Sequence, residues 1–154
     1  LGGALLLAAI VAGAIVAIVL LTGGGSSKRT GISSTATTKT GPQITQRIAL
    51  TPTNRGSKSI GAVEILTEGS NRAFFIAAEH LAPSKGFFYA IWLYNSPTSS
   101  LPLSKSPPVG SNGRLAGGAP LTANLSEYRE IVLTRETSER PRQPGPIVLR
   151  GRLK

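Results

Sequence analysis

The chain is expected to be mainly β: an immunoglobulin-like antiparallel β-sandwich preceded by a single transmembrane α-helix and a flexible linker. Three observations lead there. Leu1 to Thr22 carries no charged residue and is mostly Leu, Ile, Val and Ala. Gly23 to Pro42 is mostly Gly, Ser and Thr. From Gln43 onward the apolar residues fall into short runs of period two separated by turn residues, and none sustains a helical repeat over three turns. The partition is therefore a transmembrane helix at 1–22, a linker at 23–42, and an extracytoplasmic β-sandwich domain at 43–154.

A helix over the first segment would run about 33 Å, close to the ~30 Å hydrocarbon thickness of a bilayer. Its apolar residues surround the whole helix, which disfavours an interfacial amphipathic helix. No basic stretch precedes it, and it exceeds a signal-peptide core, so a mature anchor in the lipid bilayer is expected. Ala9, Gly13 and Ala17 form a small-xxx-small row that could let two such helices approach, although an Ala-rich span produces such rows by chance. Lys28 and Arg29 follow the span, but the charge rule compares two flanks, so charge alone leaves the topology open. The linker has a root-mean-square reach of about 25 Å, enough to hold a domain clear of the headgroups yet near them.

The strands are read in order. Ile44, Ile48 and Leu50 alternate with Thr45, Arg47 and Thr51. Ile60–Glu68 sets Val63 and Ile65 against Glu64 and Glu68, and Arg72–Leu81 and Phe87–Asn95 follow. Tyr128–Arg135 places Ile131 and Leu133 between Arg129 and Arg135, and Pro146–Leu153 closes the series. Glu68-Gly69-Ser70-Asn71, Ala82-Pro83-Ser84-Lys85-Gly86 and Asn112-Gly113 are the turn signals between them. Phe87 to Tyr94 is apolar on both faces, which marks a mid-sheet strand covered on both sides. Most of the aromatics lie between Phe74 and Tyr94, so Arg72–Leu81 and Phe87–Asn95 are expected to pair as the core hairpin. Ser96 to Pro120 reads as a long loop with one short strand near Arg114–Ala116. Roughly six to eight strands in ~110 residues is sandwich spacing.

Composition narrows the chemistry. There are 17 Lys+Arg against 7 Asp+Glu, a formal charge of +10, one His, and no Cys or Met. Every acid is a Glu. Thiol nucleophiles, disulfides and thiolate metal sites are excluded, a Ser-His-Asp triad cannot be assembled, and neither a cofactor nor a metal is expected. The chain opens on Leu1 without an initiator residue, which suggests a fragment or processed product. His80 ends a strand, where a lone His is usually structural, and alternation puts Glu79 on the opposite face. Glu64 and Glu68 share a face, as more loosely do Glu136 and Glu139, but solvated surface glutamates are the ordinary case. Gly110-Ser111-Asn112-Gly113 and Gly117-Gly118 lack the Lys-Ser/Thr ending and the helix of a phosphate loop. Asn124-Leu125-Ser126 matches a glycosylation acceptor, a triplet common by chance. No enzyme activity is expected.

Arg135, Arg140, Arg142, Arg150, Arg152 and Lys154 crowd the C-terminal part. Such patches attract nucleic acid, anionic lipid or acidic polymers. These arginines are not interleaved with the aromatics as single-strand stacking platforms would require, so no nucleic acid is expected. Beside a membrane anchor, anionic headgroups or cell-wall polymer are the better partners, and a solvated face is the commonest outcome of all.

Three stretches, Leu81 to Tyr94, Tyr128 to Glu136 and Pro144 to Gly151, together resemble the extracytoplasmic domain of membrane-bound bacterial anti-sigma factors of the sigma-K type. The matching positions are Leu81, Pro83, Gly86, Tyr89, Trp92, Leu93, Thr134, Glu136 and Gly151, each a structural signature position and none catalytic in the family. The resemblance covers about Gln43 to Lys154 and includes the preceding span. It implies a single-pass protein of the cell membrane, with its C-terminal domain extracytoplasmic and a sigma-binding domain ahead of the span that this sequence does not contain. The sigma factor would then be released by stepwise proteolysis, with a membrane-associated protease as partner. The alternative is a membrane-tethered cell-envelope binding or adhesion domain without a signalling role.

Overall fold

The computed structural model describes residues 41–154. The expected span at 1–22, the row Ala9, Gly13 and Ala17, and linker residues 23–40 lie outside the described residues. Among the described residues no helix is long and apolar enough to cross a membrane.

Pro42–Lys154 forms one compact unit. It contains β1 (Gln43–Pro52), β2 (Ile60–Glu68), β3 (Asn71–Glu79), β4 (Phe88–Ser96), β5 (Ser99–Lys105), β6 (Leu115–Pro120), β7 (Glu130–Glu136) and β8 (Ile147–Arg152), with a 3₁₀ turn at Leu125–Glu127. The strands run in the order β5-β4-β7-β8-β1-β2-β3-β6, and every pair is antiparallel.

One strand joins two halves. Gln43 to Leu50 of β1 pairs with β2, whereas Thr51 and Pro52 pair with Arg150 and Leu149 of β8. The sheet doubles over at this point into a β-sandwich-like body, and side chains from both halves meet inside. Ile48, Leu50, Val63, Ile65, Phe74 and Ile76 come from one half, and Tyr89, Ile91, Leu93, Ile131, Leu133 and Leu149 from the other. Each large side chain so buried contributes roughly 1.5–3 kcal/mol. Period-two alternation is what allows a single strand to place every second residue in this core.

β4 is buried on both faces. Tyr89, Ile91 and Leu93 point into the main core, while Ala90 and Trp92 form a second cluster with Val132, flanked by Phe88, Tyr94 and Ile147. It has β5 on one side and β7 on the other, the mid-sheet position its sequence predicted.

Three expectations need correction. The Arg72–Leu81 and Phe87–Asn95 segments do not pair: β3 bonds to β2 and β6, and β4 bonds to β5 and β7. The connection between them crosses from one half of the sheet to the other. His80 turns the chain with φ 57°, its carbonyl accepts from Ser59 Oγ at 2.8 Å, and Leu81 N–H donates to Gly113 O at 3.0 Å. Ser84 N–H donates to Val109 O at 2.9 Å, so the crossover is pinned to the distant segment before β6 instead of folding back on β3.

The second correction is β5, which lies inside the stretch expected to be a loop. It contains Pro102 and several serines, a composition that hides a strand. At the end of the strand order it bonds only to β4, so a proline without an N–H is tolerated. The third is β6, which runs beyond Arg114–Ala116 through Gly117, Gly118 and Ala119 to Pro120 as the other end of the order.

Candidate functional site

At one end of the body, the turn before β4, the end of β7 and the loop leading into β8 surround a cleft of about 830 Å³. Its lining includes Lys85, Phe87, Arg135, Glu136, Arg140 and Arg142. Registry explains the grouping: Phe88 lies opposite Glu136 and Tyr89 opposite Arg135, so β4–β7 pairing brings the Lys85-Gly86-Phe87 turn beside the arginines that follow β7.

The loop 137–144 is closed by a buried carboxylate. Glu136 is only 4 % exposed, and its Oε1 accepts from Gly145 N–H at 2.9 Å and from the Thr134 hydroxyl. Arg135 N–H donates to Pro146 O at 3.0 Å, a second tie across the same loop. Glycine is required at 145, because a Cβ there would collide with the Arg135 carbonyl oxygen and approach Glu136 Oε2 to 2.9 Å. Glu136→Ala should therefore lower stability by about 1–3 kcal/mol, since Gly145 N–H and the Thr134 hydroxyl lose their acceptor. Glu136→Gln, which keeps a carbonyl oxygen, should lose clearly less. Urea melts of both variants check this, and equal losses would remove the tie from the account.

The cleft is electropositive. All seven acids of the chain lie between Glu64 and Glu139. The ion pairs are Arg47–Glu64, Lys105–Glu139, Arg114–Glu79 and Arg150–Glu130, so Lys85, Arg135, Arg140 and Arg142 have no carboxylate partner among the described residues. Glu136 is the one acid in the lining, and its Oε1 is already engaged.

Arg135 is held in place. Its guanidinium lies 3.9 Å from the Phe87 ring centroid, and Phe87 meets Tyr89 edge to face at 5.2 Å. Lys105 similarly sits 4.1 Å over Phe88. The basic and aromatic residues that are separate in sequence thus meet in space, and each such contact is worth ~0.5–1 kcal/mol at an exposed site.

Tyr89 Oη donates to Ala82 O at 2.9 Å, which anchors the turn before β4. Burial pushes the Tyr89 phenol up from its ordinary value, with the nearby Arg135 charge pulling the other way. A raised folded-state pKa means that the fold favours the neutral phenol. That stability is fully present below the unfolded phenol's pKa of about 10 and is lost as pH rises from there through the folded value. Tyr89→Phe should flatten this part of the alkaline unfolding profile, as followed by circular dichroism. An unchanged slope above pH ~10 would reject the assignment.

The signature positions are distributed over the body. Leu81, Tyr89 and Leu93 are in the main core, and Trp92 is on the opposite face of β4. Gly86 and Glu136 line the cleft, and Thr134 lies buried behind Glu136. Pro83 is exposed in the crossover. Gly151 lies away from the cleft, packed against Ala49, Ile48 and Leu50 of β1. Ala9, Gly13 and Ala17 are outside the described residues.

The other residues singled out have structural surroundings. The side chain of His80 is exposed. Glu64 is not a solvated glutamate: it is 9 % exposed and paired with Arg47 at 2.8 Å. Asn124 caps the 3₁₀ turn by accepting from Ser126 N–H. Among the described residues no group of His or Glu side chains could hold a metal ion. The cleft itself was not legible in the sequence. Its only signal there was the arginine crowding, and the partner turn at Lys85 lies some fifty residues away.

Fold and site together define a class: a mainly β, sandwich-like domain with a basic cleft at one end. No known protein family, curated protein or solved structure matches the chain.

Proposed function

We propose that this chain is the span and extracytoplasmic sensor domain of a membrane-bound anti-sigma factor that controls transcription through regulated proteolysis. One observation carries the reading. The three stretches that resemble the sigma-K type cover most of β4, β7 and β8, which are consecutive neighbours in the strand order although β4 lies more than thirty residues before β7. A shared motif set that falls on one contiguous strip is what a common packing unit would produce.

In this reading Leu1–Thr22 is a single-pass anchor in the cell membrane. The linker hangs the domain outside, and the doubled sheet is an immunoglobulin-like sandwich. The sigma factor is held by a cytoplasmic domain ahead of the span. A membrane-associated protease recognises the outer domain or its linker, and cleavage outside and then within the membrane releases the sigma factor. The domain itself does no chemistry; it gates access.

The test has two parts. A phosphatase reporter fused after Lys154 should be active only outside the cytoplasm. Deleting the gene in its host should derepress one group of promoters with shared recognition elements. Cytoplasmic reporter activity, or promoters that do not respond, would reject the reading.

The second reading, a membrane-tethered envelope-binding domain without a signalling role, is favoured by the unpaired cations of the cleft. It predicts the same reporter result, no promoter response, and retention of the chain by cell-envelope material.

A further inference from the structure

We infer that the cleft between the Lys85 turn and the 137–146 loop is a binding site for a phosphate-bearing ligand. The inference rests on the cleft alone and holds whether or not the chain regulates a sigma factor.

Four cations line the site against one carboxylate, whose Oε1 closes the loop, so the lining keeps a net positive charge. Glu139, the other acid of the loop, is turned away into a 3.0 Å pair with Lys105 and is not part of the lining. Like charges that share a cleft repel one another, and an anion relieves that repulsion.

Size and preparation agree. A volume of about 830 Å³ falls within the range of small-ligand pockets, roughly 300–1,000 Å³. Arg135 is oriented by Phe87 before any ligand arrives, and the 136–145 tie fixes the ends of the loop that bears Arg140 and Arg142. Less side-chain freedom then remains to be lost on binding.

Phosphate fits better than carboxylate. Three guanidinium groups and one ammonium offer donors from both sides of the cleft, from the Lys85 turn and from the end of β7 with the loop after it. A phosphate group presents several acceptor oxygens in three dimensions and close to two charges, whereas a carboxylate presents two oxygens in one plane. The source can be an anionic lipid headgroup or a free soluble phosphate compound. The chemistry recognised is the same.

The test uses the full chain in a non-ionic detergent, with pyrophosphate as the soluble probe and calorimetry as the readout. Binding should weaken as salt is raised. The variant Arg140→Gln/Arg142→Gln changes two exposed loop residues and should lower affinity at least about tenfold. Its control is Arg129→Gln/Arg152→Gln, which removes the same charge from exposed positions at the opposite end of the strands and should bind like the parent.

Equal losses in both variants would mean a diffuse field and would overturn the site, as would a parent chain that does not bind pyrophosphate. Citrate binding as tightly as pyrophosphate would overturn the assignment to phosphate. Phosphatidylglycerol vesicles in place of pyrophosphate identify the source. Cleft-dependent capture by vesicles that exceeds soluble binding assigns a headgroup, and the reverse assigns a free soluble phosphate compound.

Discussion

Trp92→Ala is expected to lower the unfolding free energy by about 3–5 kcal/mol, a large share of the ~5–15 kcal/mol available to a domain. The indole is 1 % exposed in the middle of β4, opposite Val132 on β7 and Pro102 on β5. Removing it leaves a void that two neighbouring strands cannot close without breaking ladder bonds. The environment also makes a finer statement. The Trp92 Nε1 donor is buried without a partner, and such a group costs ~1–3 kcal/mol. Trp92→Phe deletes that donor and keeps most of the ring volume, so it should lose much less than the alanine variant. Denaturant melts of the two variants decide the point. A loss below ~1 kcal/mol for Trp92→Ala would show that the ring is not packed as described.

Gly151→Val is the second large effect, about 3 kcal/mol of destabilisation, from overpacking instead of a cavity. Gly151 lies on β8 opposite Ile131 of β7 and against β1, at the seam where the two halves of the sheet join. A Cβ there would sit 2.6 Å from the Ala49 carbonyl oxygen, 2.6 Å from Ile48 Cγ2 and 2.8 Å from Leu50 Cδ2. A flexible side chain could give way, but the backbone oxygen belongs to a strand and cannot move without unpicking β1. A thermal melt is sufficient, and a midpoint within a degree or two of the parent would refute the close approach. The glycine was legible as a signature position, but its reason was not, because the atoms it must clear lie some hundred residues earlier.

That contrast recurs through the molecule. The sequence pattern gives β2 the bounds it has in the fold, because alternation of Val63 and Ile65 with Glu64 is a local property of the chain. The mid-sheet place of β4 is legible for an equally local reason: a strand apolar on both faces needs cover on both faces. β5 was hidden because Pro102 and its serines suit only a strand that lies at the end of the order, a position defined by its neighbours. The aromatics gathered between Phe74 and Tyr94 point to a β3–β4 pairing, and the hydrogen bonds of Leu81 and Ser84 to Gly113 and Val109 override it.

Residue types and their periodicity thus determined a charge-free apolar opening, a run of strands, and a chemistry without thiol, aspartate or a second histidine. They acted through short-range terms, which side chain faces which way and which turn a dipeptide allows. Which strands become neighbours was decided only by the tertiary structure. So was the meeting of Arg135 with Phe87, and so was the cleft that gathers Lys85 with Arg140 and Arg142. Each of these depends on the free energy of closing long loops against that of burying one shared core, a balance that no local stretch of sequence contains.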